Sequence, residues 1–400
     1  MDLITRNDSL IRQRTGVQLG ITKILVRDLA KERPGVDRTL LTVDPDKVLN
    51  NGCDVVVELV GGLEPARTFI QRSLERGKHV VTANKALLAL DGFKLIRKAE
   101  QRKVRLGFEG SVCGGIPIIR ALRNGLVGNH IQRISGILNG TCNYILTRMT
   151  EEHMEFGEAL SEAQKMGFAE ADPSLDIDGH DAAQKLKILT ELALNAEIPP
   201  ESIEVEGIRG ITADDVQAAG ECGYVIKHVG TAEVTNGEVS LRAKPVLLPK
   251  SHQLAGVREE NNAVLIQGDA VGEMFFSGKG AGSLPSASAV LSDVVDIACH
   301  EGDFSRTCPQ ALNAAATDYE GRHYLRFDVA DPSAIGPITT LLERNGVGVS
   351  RAAAVWAKNG SARLHVRVFT QNSLRSSIDT SVRDLKAHIC QSLVLAARSM

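Results

Sequence analysis

Residues 53 to 62 read CDVVVELVGG, and residues 78 to 85 read KHVVTANK. Each is a short, continuous apolar run between polar residues, and the first closes on the glycine pair Gly61 and Gly62. Such runs read as strands buried on both faces, which points to a parallel sheet covered by helices. Working outward, GITKILVRD at 20 to 28 and VRLGFEGSV at 104 to 112 supply two more buried strands. Helical patterns over about 65–76 and 86–101 lie between the strands, and residues 3–14 form an amphipathic helix ended near Gly16.

Strands alternating with helices through right-handed crossovers give an α/β, Rossmann-like half. Such a fold normally opens with a strand and a GxGxxG turn into its first helix, whereas this chain starts inside what should be that helix. VGG at 60 to 62 and GSVCGG at 110 to 115 lack the required spacing. The sequence therefore predicts either a truncated chain or a pyrophosphate held in another way. Arg27 and Asp28 end the strand that normally selects the ribose; an arginine there accepts a 2′-phosphate, so NADP is expected, with NAD as the alternative.

The chain has 400 residues, 43% hydrophobic and 24% charged, with a formal net charge of -3. It is long enough for two or three domains, and the near-neutral balance gives no reason to expect nucleic acid or an anionic membrane as partner. Seven scattered cysteines without a CxxC read as reduced thiols rather than a disulfide frame or a zinc site. No apolar run reaches the length of a membrane span and the N-terminus lacks a signal-peptide core, so the cytoplasm is the expected compartment.

Further along, Pro117 suits a helix start, and GYVIKHVGTAEV, EVSLRAKPVLLP and NAVLIQGD alternate like antiparallel strands with turns at Asn236-Gly237 and Asn261-Asn262. They predict a second, open α+β sheet faced by helices. GKGAGSLPSASAVLSDVVDIACH adds a glycine turn and a helix from near Pro285 that returns to the first domain. From 322 a strand-helix-strand-strand-helix order, the last helix over about 381–397, predicts a small α+β module of ferredoxin type. The expected division is 1–115 completed by about 285–305, then 116–300, a linker at 301–321, and 322–400.

The densest chemistry lies in AEADPSLDIDGHDAAQKLKIL, residues 169 to 189. Glu170, Asp172, Asp176 and Asp178 precede a turn at Gly179 and His180, and Asp181 stands in the first turn of a helix, where unpaired N–H groups favour a carboxylate. Lys185, four residues on, shares its face. A lysine tethered to a carboxylate among further carboxylates is a candidate proton-transfer group, and the remaining acids suit an ammonium. A solvated acidic loop capping an amphipathic helix would give the same pattern.

Six ordered blocks, VVVELVGG, VVTANKALLA, GSVCGGIPIIRALRNGL, ISGILNGTCNYILTRM, GFAEADPSLDIDGHDAAQKLKIL and GAGSLPSASAVLSDVV, span most of residues 20 to 300 and closely resemble homoserine dehydrogenase. The resemblance implies NAD(P)-dependent interconversion of aspartate 4-semialdehyde and homoserine, on the route to threonine and methionine. Lys185 would then be the acid/base, Asp181 would orient it and bind substrate, and Glu170 and Asp176 would contact the amino acid. Lys85 would lie between nicotinamide and substrate, with Val60, Gly61 and Gly282 bordering the cofactor. Glu109, with the carbonyls of Val112, Gly114 and Ile116, would match a monovalent-cation site, usually sodium. The last module looks like an ACT domain, although ADPSAIG at 330 to 336 replaces the usual proline-glycine turn; threonine is the implied effector and a homodimer the implied assembly. The missing glycine turn keeps a second reading open, a cofactor-deficient or regulatory amino-acid-binding homologue without turnover.

Overall fold

A computed structural model of the chain describes residues 1–299, 318–356, 364–385 and 391–397. The chain divides into two compact units, residues 1–132, 184–200 and 266–312 in the first, and 133–183, 201–265 and 313–400 in the second.

In the first unit the apolar runs form parallel strands, but in two separate sheets. β1 (Ile24–Leu25) pairs with β2 (Leu41–Thr42), while β3 (Val55–Glu58), β4 (His79–Thr82) and β5 (Leu106–Gly107) make a three-stranded sheet in that order. Val80 and Val81 on the central strand are fully buried. The helix Ala66–Glu75 buries Ala66, Ile70, Ser73 and Leu74, and the helix Lys85–Gln101 buries Leu87, Leu88, Leu95 and Ala99, each a stripe at helical spacing. The buried strand expected over 20–28 is only two residues long and half-buried. Its one ladder partner among the described residues is the equally short β2, too little pairing to extend or cover it. The helix Asp2–Thr15 buries none of its own residues and packs chiefly on the helix Ser283–Cys299.

The second unit is built on one long sheet. β6 (Ile131–Ile137), β7 (Ile203–Val205), β8 (Tyr224–Thr235), β9 (Glu238–Pro249) and β10 (Asn261–Gly268) are followed by β11 (Glu320–Val329), β12 (Val349–Trp356), β13 (Leu364–Thr370) and β14 (Gln391–Ala397). Their order is β10-β6-β8-β9-β14-β11-β13-β12, with β7 parallel to β9. The β8–β9 hairpin turns on Asn236 (φ 54) and Gly237 (φ 82), as an Asn-Gly pair should. The turn expected at Asn261-Asn262 comes slightly earlier, at 258–260 with Glu259 at φ 55, and both asparagines start β10.

The chain end corrects a second expectation. The helix predicted over 381–397 is instead a helix at Arg375–Leu385 and a strand, β14, antiparallel to β11 and parallel to β9. A short apolar run such as SLVLAA cannot be told from a helix by periodicity; two flanking strands decide it. Leu393 and Leu395 of β14 then enter the core that Tyr144, Leu146 and Met149 form with Ile226 and Leu247. A further core gathers Phe327, Ile338, Leu342, Val366 and Ile378. Residues 301–317 of the expected linker lie outside the described residues, and Glu320 already begins β11.

Candidate active site

The acidic stretch lies at one end of the second unit's sheet, where the short helix Ser174–Ile177 turns at Gly179 (φ 88) into the helix His180–Leu194. Two contacts hold this turn in place. The Ile208 N–H donates to the Ile177 carbonyl at 2.8 Å, and Arg209 forms an ion pair with Asp178 that keeps this carboxyl below the usual range. Gly207 packs so tightly on the turn that a Cβ there would overlap the Ile177 carbonyl oxygen and stand 2.5 Å from the Asp178 Cα. His228 on β8 lies beneath Gly179, its Nε2 3.0 Å from the Glu206 carbonyl oxygen.

Asp176 and Asp181 are brought together by a residue that the sequence did not single out. The Asn139 amide nitrogen donates to Asp176 Oδ1 at 2.7 Å and to Asp181 Oδ2 at 2.8 Å. Asp181 and Asn139 are buried, Asp176 half-buried. Glu170 is exposed and is not one of the two carboxylates that Asn139 holds; its backbone carbonyl accepts from the Gln164 side chain at 3.1 Å. Farther along the helix, Lys187 is committed to Glu191 in a buried ion pair. Lys185, also buried, stands one helical turn after Asp181.

In the first unit the carboxyl ends of β3 and β4 meet at a buried carboxylate, Glu58. It accepts from the Val60 and Gly61 N–H groups at 2.7 and 3.0 Å and from the Thr82 hydroxyl at 2.6 Å. Gly61 (φ 75) and Gly62 (φ 69) are left-handed, a conformation that favours glycine. The Asn84 side chain donates to the Gly62 carbonyl at 2.7 Å and caps the helix that Lys85 begins. Val60, Gly61 and Lys85 thus gather at the end of a parallel sheet where ligands of open α/β folds bind. Leu59, Val60 and Leu63 are exposed there, an apolar surface suited to a flat ring. Arg27 is exposed just after β1, and the Asp28 carboxylate turns back to accept from the Ala30 N–H at 2.7 Å.

Glu109 is buried, and its two oxygens accept from the N–H groups of Ile119 and Arg120, both at 2.9 Å. The Glu109 N–H in turn donates to Asp293 at 2.8 Å, and burial raises the pKa of both acids. The Val112–Ile116 loop is clamped on the segment before Gly282: Gly114 N donates to the Gly280 carbonyl at 2.9 Å and Gly115 N to the Lys279 carbonyl at 2.8 Å. The Ile116 carbonyl accepts from the Ile118 N–H at 2.8 Å. Two buried acids beside a loop rich in carbonyls form a donor set of hard oxygens. Elsewhere in this unit, Leu88, Phe93, Phe108, Ile188 and Leu192 line an apolar pocket that holds none of these residues.

Asn139 and Glu58 escaped the sequence reading. Both act by holding backbone or carboxylates, and an asparagine before Gly-Thr or a glutamate in a valine run carries no charge pattern of its own. A signal did exist: an acid inside an otherwise apolar strand needs a buried partner.

The family model "Homoserine dehydrogenase" matches residues 117–295, and "Homoserine dehydrogenase, NAD binding domain" matches residues 5–109. The homoserine dehydrogenase of Pseudomonas aeruginosa is 36% identical over 96% of this chain and 92% of its own. The crystal structure of a homoserine dehydrogenase from Thiobacillus denitrificans superposes with a TM-score of 0.88 at 34% identity, covering 100% of this chain and 94% of that one. A hyperthermophilic archaeal homoserine dehydrogenase in complex with NADPH matches with a TM-score of 0.56 at 31% identity, over 64% of this chain and 75% of that one.

Proposed function

The chain belongs to the homoserine dehydrogenase family, and from that premise we propose how its residues divide the work of reducing aspartate 4-semialdehyde to homoserine and of the reverse reaction. It is an oxidoreductase that takes a nicotinamide cofactor. The reading as a homologue without turnover is not favoured, because relatives of this family match over nearly the whole chain.

Residues at the ends of β3 and β4 would hold the nicotinamide cofactor, which would supply the hydride when bound. Val60, Gly61 and Gly282 border it, and Arg27 receives a 2′-phosphate, which makes NADP the preferred form. Lys85 stands between the cofactor and the substrate. Reduction leaves the former aldehyde oxygen in need of a proton, and Lys185 Nζ donates it; in the reverse direction neutral Nζ removes the hydroxyl proton. Asp181 orients Lys185 and, with Asp176 and Glu170, binds the amino-acid end of the substrate. The buried Asp181 and Lys185, one turn apart on one helix, carry this reading.

A sodium ion at Glu109 and the carbonyls of Val112, Gly114 and Ile116 fits the two buried acids there, whose charge it would offset. The domain division given above, an ACT-like module at 322–400 answering to threonine, a homodimer and a cytoplasmic location complete the proposal. Among the described residues no helix is long and apolar enough to cross a membrane.

Lys185→Ala is expected to lower kcat by about 10² to 10⁴, with NADPH binding by calorimetry and the circular dichroism spectrum unchanged. Turnover within tenfold of the wild type would remove Lys185 from this role.

A further inference from the structure

Asn139 is neither acid nor base, yet it is the hub of the acidic site. Its side-chain oxygen accepts from the Cys142 N–H at 2.7 Å and so caps the helix Gly140–Glu151. That bond fixes the orientation of the amide: with the oxygen turned to an N–H group, the nitrogen faces the two carboxylates. The backbone beside it lies close against the segment before β10, since a Cβ on Gly140 would come within 2.7 Å of the Glu260 carbonyl oxygen. Thr141 on the next turn donates to the Phe168 carbonyl at 2.7 Å and lies 3.4 Å from Asp176 Oδ2. Each N–H of one primary amide is thus spent on a different carboxylate.

Two carboxylates drawn onto one nitrogen are close enough for their charges to repel, and like charges at short range force one partner to take up a proton. Hydrogen bonds donated to the ionised forms oppose this. A Lys185 ammonium one turn after Asp181 favours the ionised form of Asp181 as well. Arg209 is taken by Asp178, and Lys244, whose charge Glu206 also feels, is paired with Glu204. His228 on β8 is uncharged above a pKa of about 4.

We propose that Asn139 is a positioning residue that keeps Asp176 and Asp181 both ionised and aimed at one point, so that they receive the ammonium of the amino-acid substrate together. This rests on the reading of both aspartates as substrate-binding. It also makes Asn139 a determinant of specificity for substrates that carry a free, protonated amine.

Asn139→Asp separates the two roles of the residue. The carboxylate still caps the helix, but a third acid buried beside Asp176 and Asp181 is expected to lower the melting temperature. Both donors are lost and a third acid is added, so the acid limb of kcat/KM against pH is expected to rise by about one unit. KM for aspartate 4-semialdehyde should rise by about tenfold or more, with kcat changed less and NADPH affinity unchanged. Asn139→Ser, which also caps, should raise KM in the same way and provides the reading if Asn139→Asp fails to fold. An unmoved acid limb and an unchanged KM in the folded variants would overturn the proposal. Asp176→Asn and Asp181→Asn distinguish the causes of such a failure. If they raise KM while the Asn139 variants do not, the positioning role alone is wrong; if they leave both KM and kcat intact, the substrate-binding reading falls, and this inference with it.

Discussion

His228 is buried beneath the turn at Gly179, its Nδ1 has no hydrogen-bond partner among the described residues, and burial pushes its pKa down to about 4. In an unfolded chain the same ring titrates near 6.5. Between those values the unfolded state binds a proton that the folded state does not, so the stability is whole above about 6.5 and falls as the pH drops toward 4. From pH 7 to pH 5 the loss is about 2 kcal/mol for one such ring. His323 is also buried, with a pKa pushed to about 4, and adds to the same slope. Urea denaturation of His228→Leu at both pH values should show the drop reduced by about 2 kcal/mol; an unchanged drop would assign the acid sensitivity elsewhere. At this scale the charged members of the candidate site, Asp181 and Lys185, announce themselves in the sequence by their spacing, and the structure buries both. Asn139, Glu58 and His228 do not announce themselves, because their roles depend on which distant strand or turn they touch.

The turn that presents Asp181 depends on the segment 206–209, just after β7, packed against it. Gly207→Ala would press a methyl group into the Ile177 carbonyl and within 2.5 Å of the Asp178 Cα, two backbone atoms that cannot swing aside. The expected cost is about 3 kcal/mol, as for overpacked cores. A thermal melt should record it together with a fall in kcat, and an unchanged melt would mean that the turn moves freely. The parallel strands of the first unit and the β8–β9 hairpin could be read from apolar runs and from Asn236-Gly237. The last strand could not, because the residues that make β14 a strand rather than a helix are its neighbours β9 and β11, more than 60 positions away in the chain at the nearest.

The second unit carries its C-terminal segment as part of one continuous structure. β14 inserts between β9 and β11, Tyr324 donates to Asp215 at 2.7 Å, and Arg326 forms a buried ion pair with the same carboxylate. Leu395→Ala should cost about 2 to 5 kcal/mol, and calorimetry should show one transition lowered for the whole unit. A separate transition for the C-terminal segment, with the rest unaltered, would show that the shared sheet is not a shared cooperative unit. The first unit has the opposite character. Its β1–β2 ribbon forms a sheet of its own, tied to the neighbouring elements by the Asn51–Thr22 hydrogen bond at 3.0 Å and by the Arg72–Asp46 ion pair. A two-stranded ribbon is marginal by itself, so residues 20–45 are a candidate for local opening in this unit. Arg27 follows directly on that ribbon, so on the proposal that it receives the 2′-phosphate, holding the phosphate and quieting the ribbon would be a single linked equilibrium. On that proposal the free energy of cofactor capture is divided between contact and local folding, and any change that firms the ribbon would tighten the cofactor without touching it.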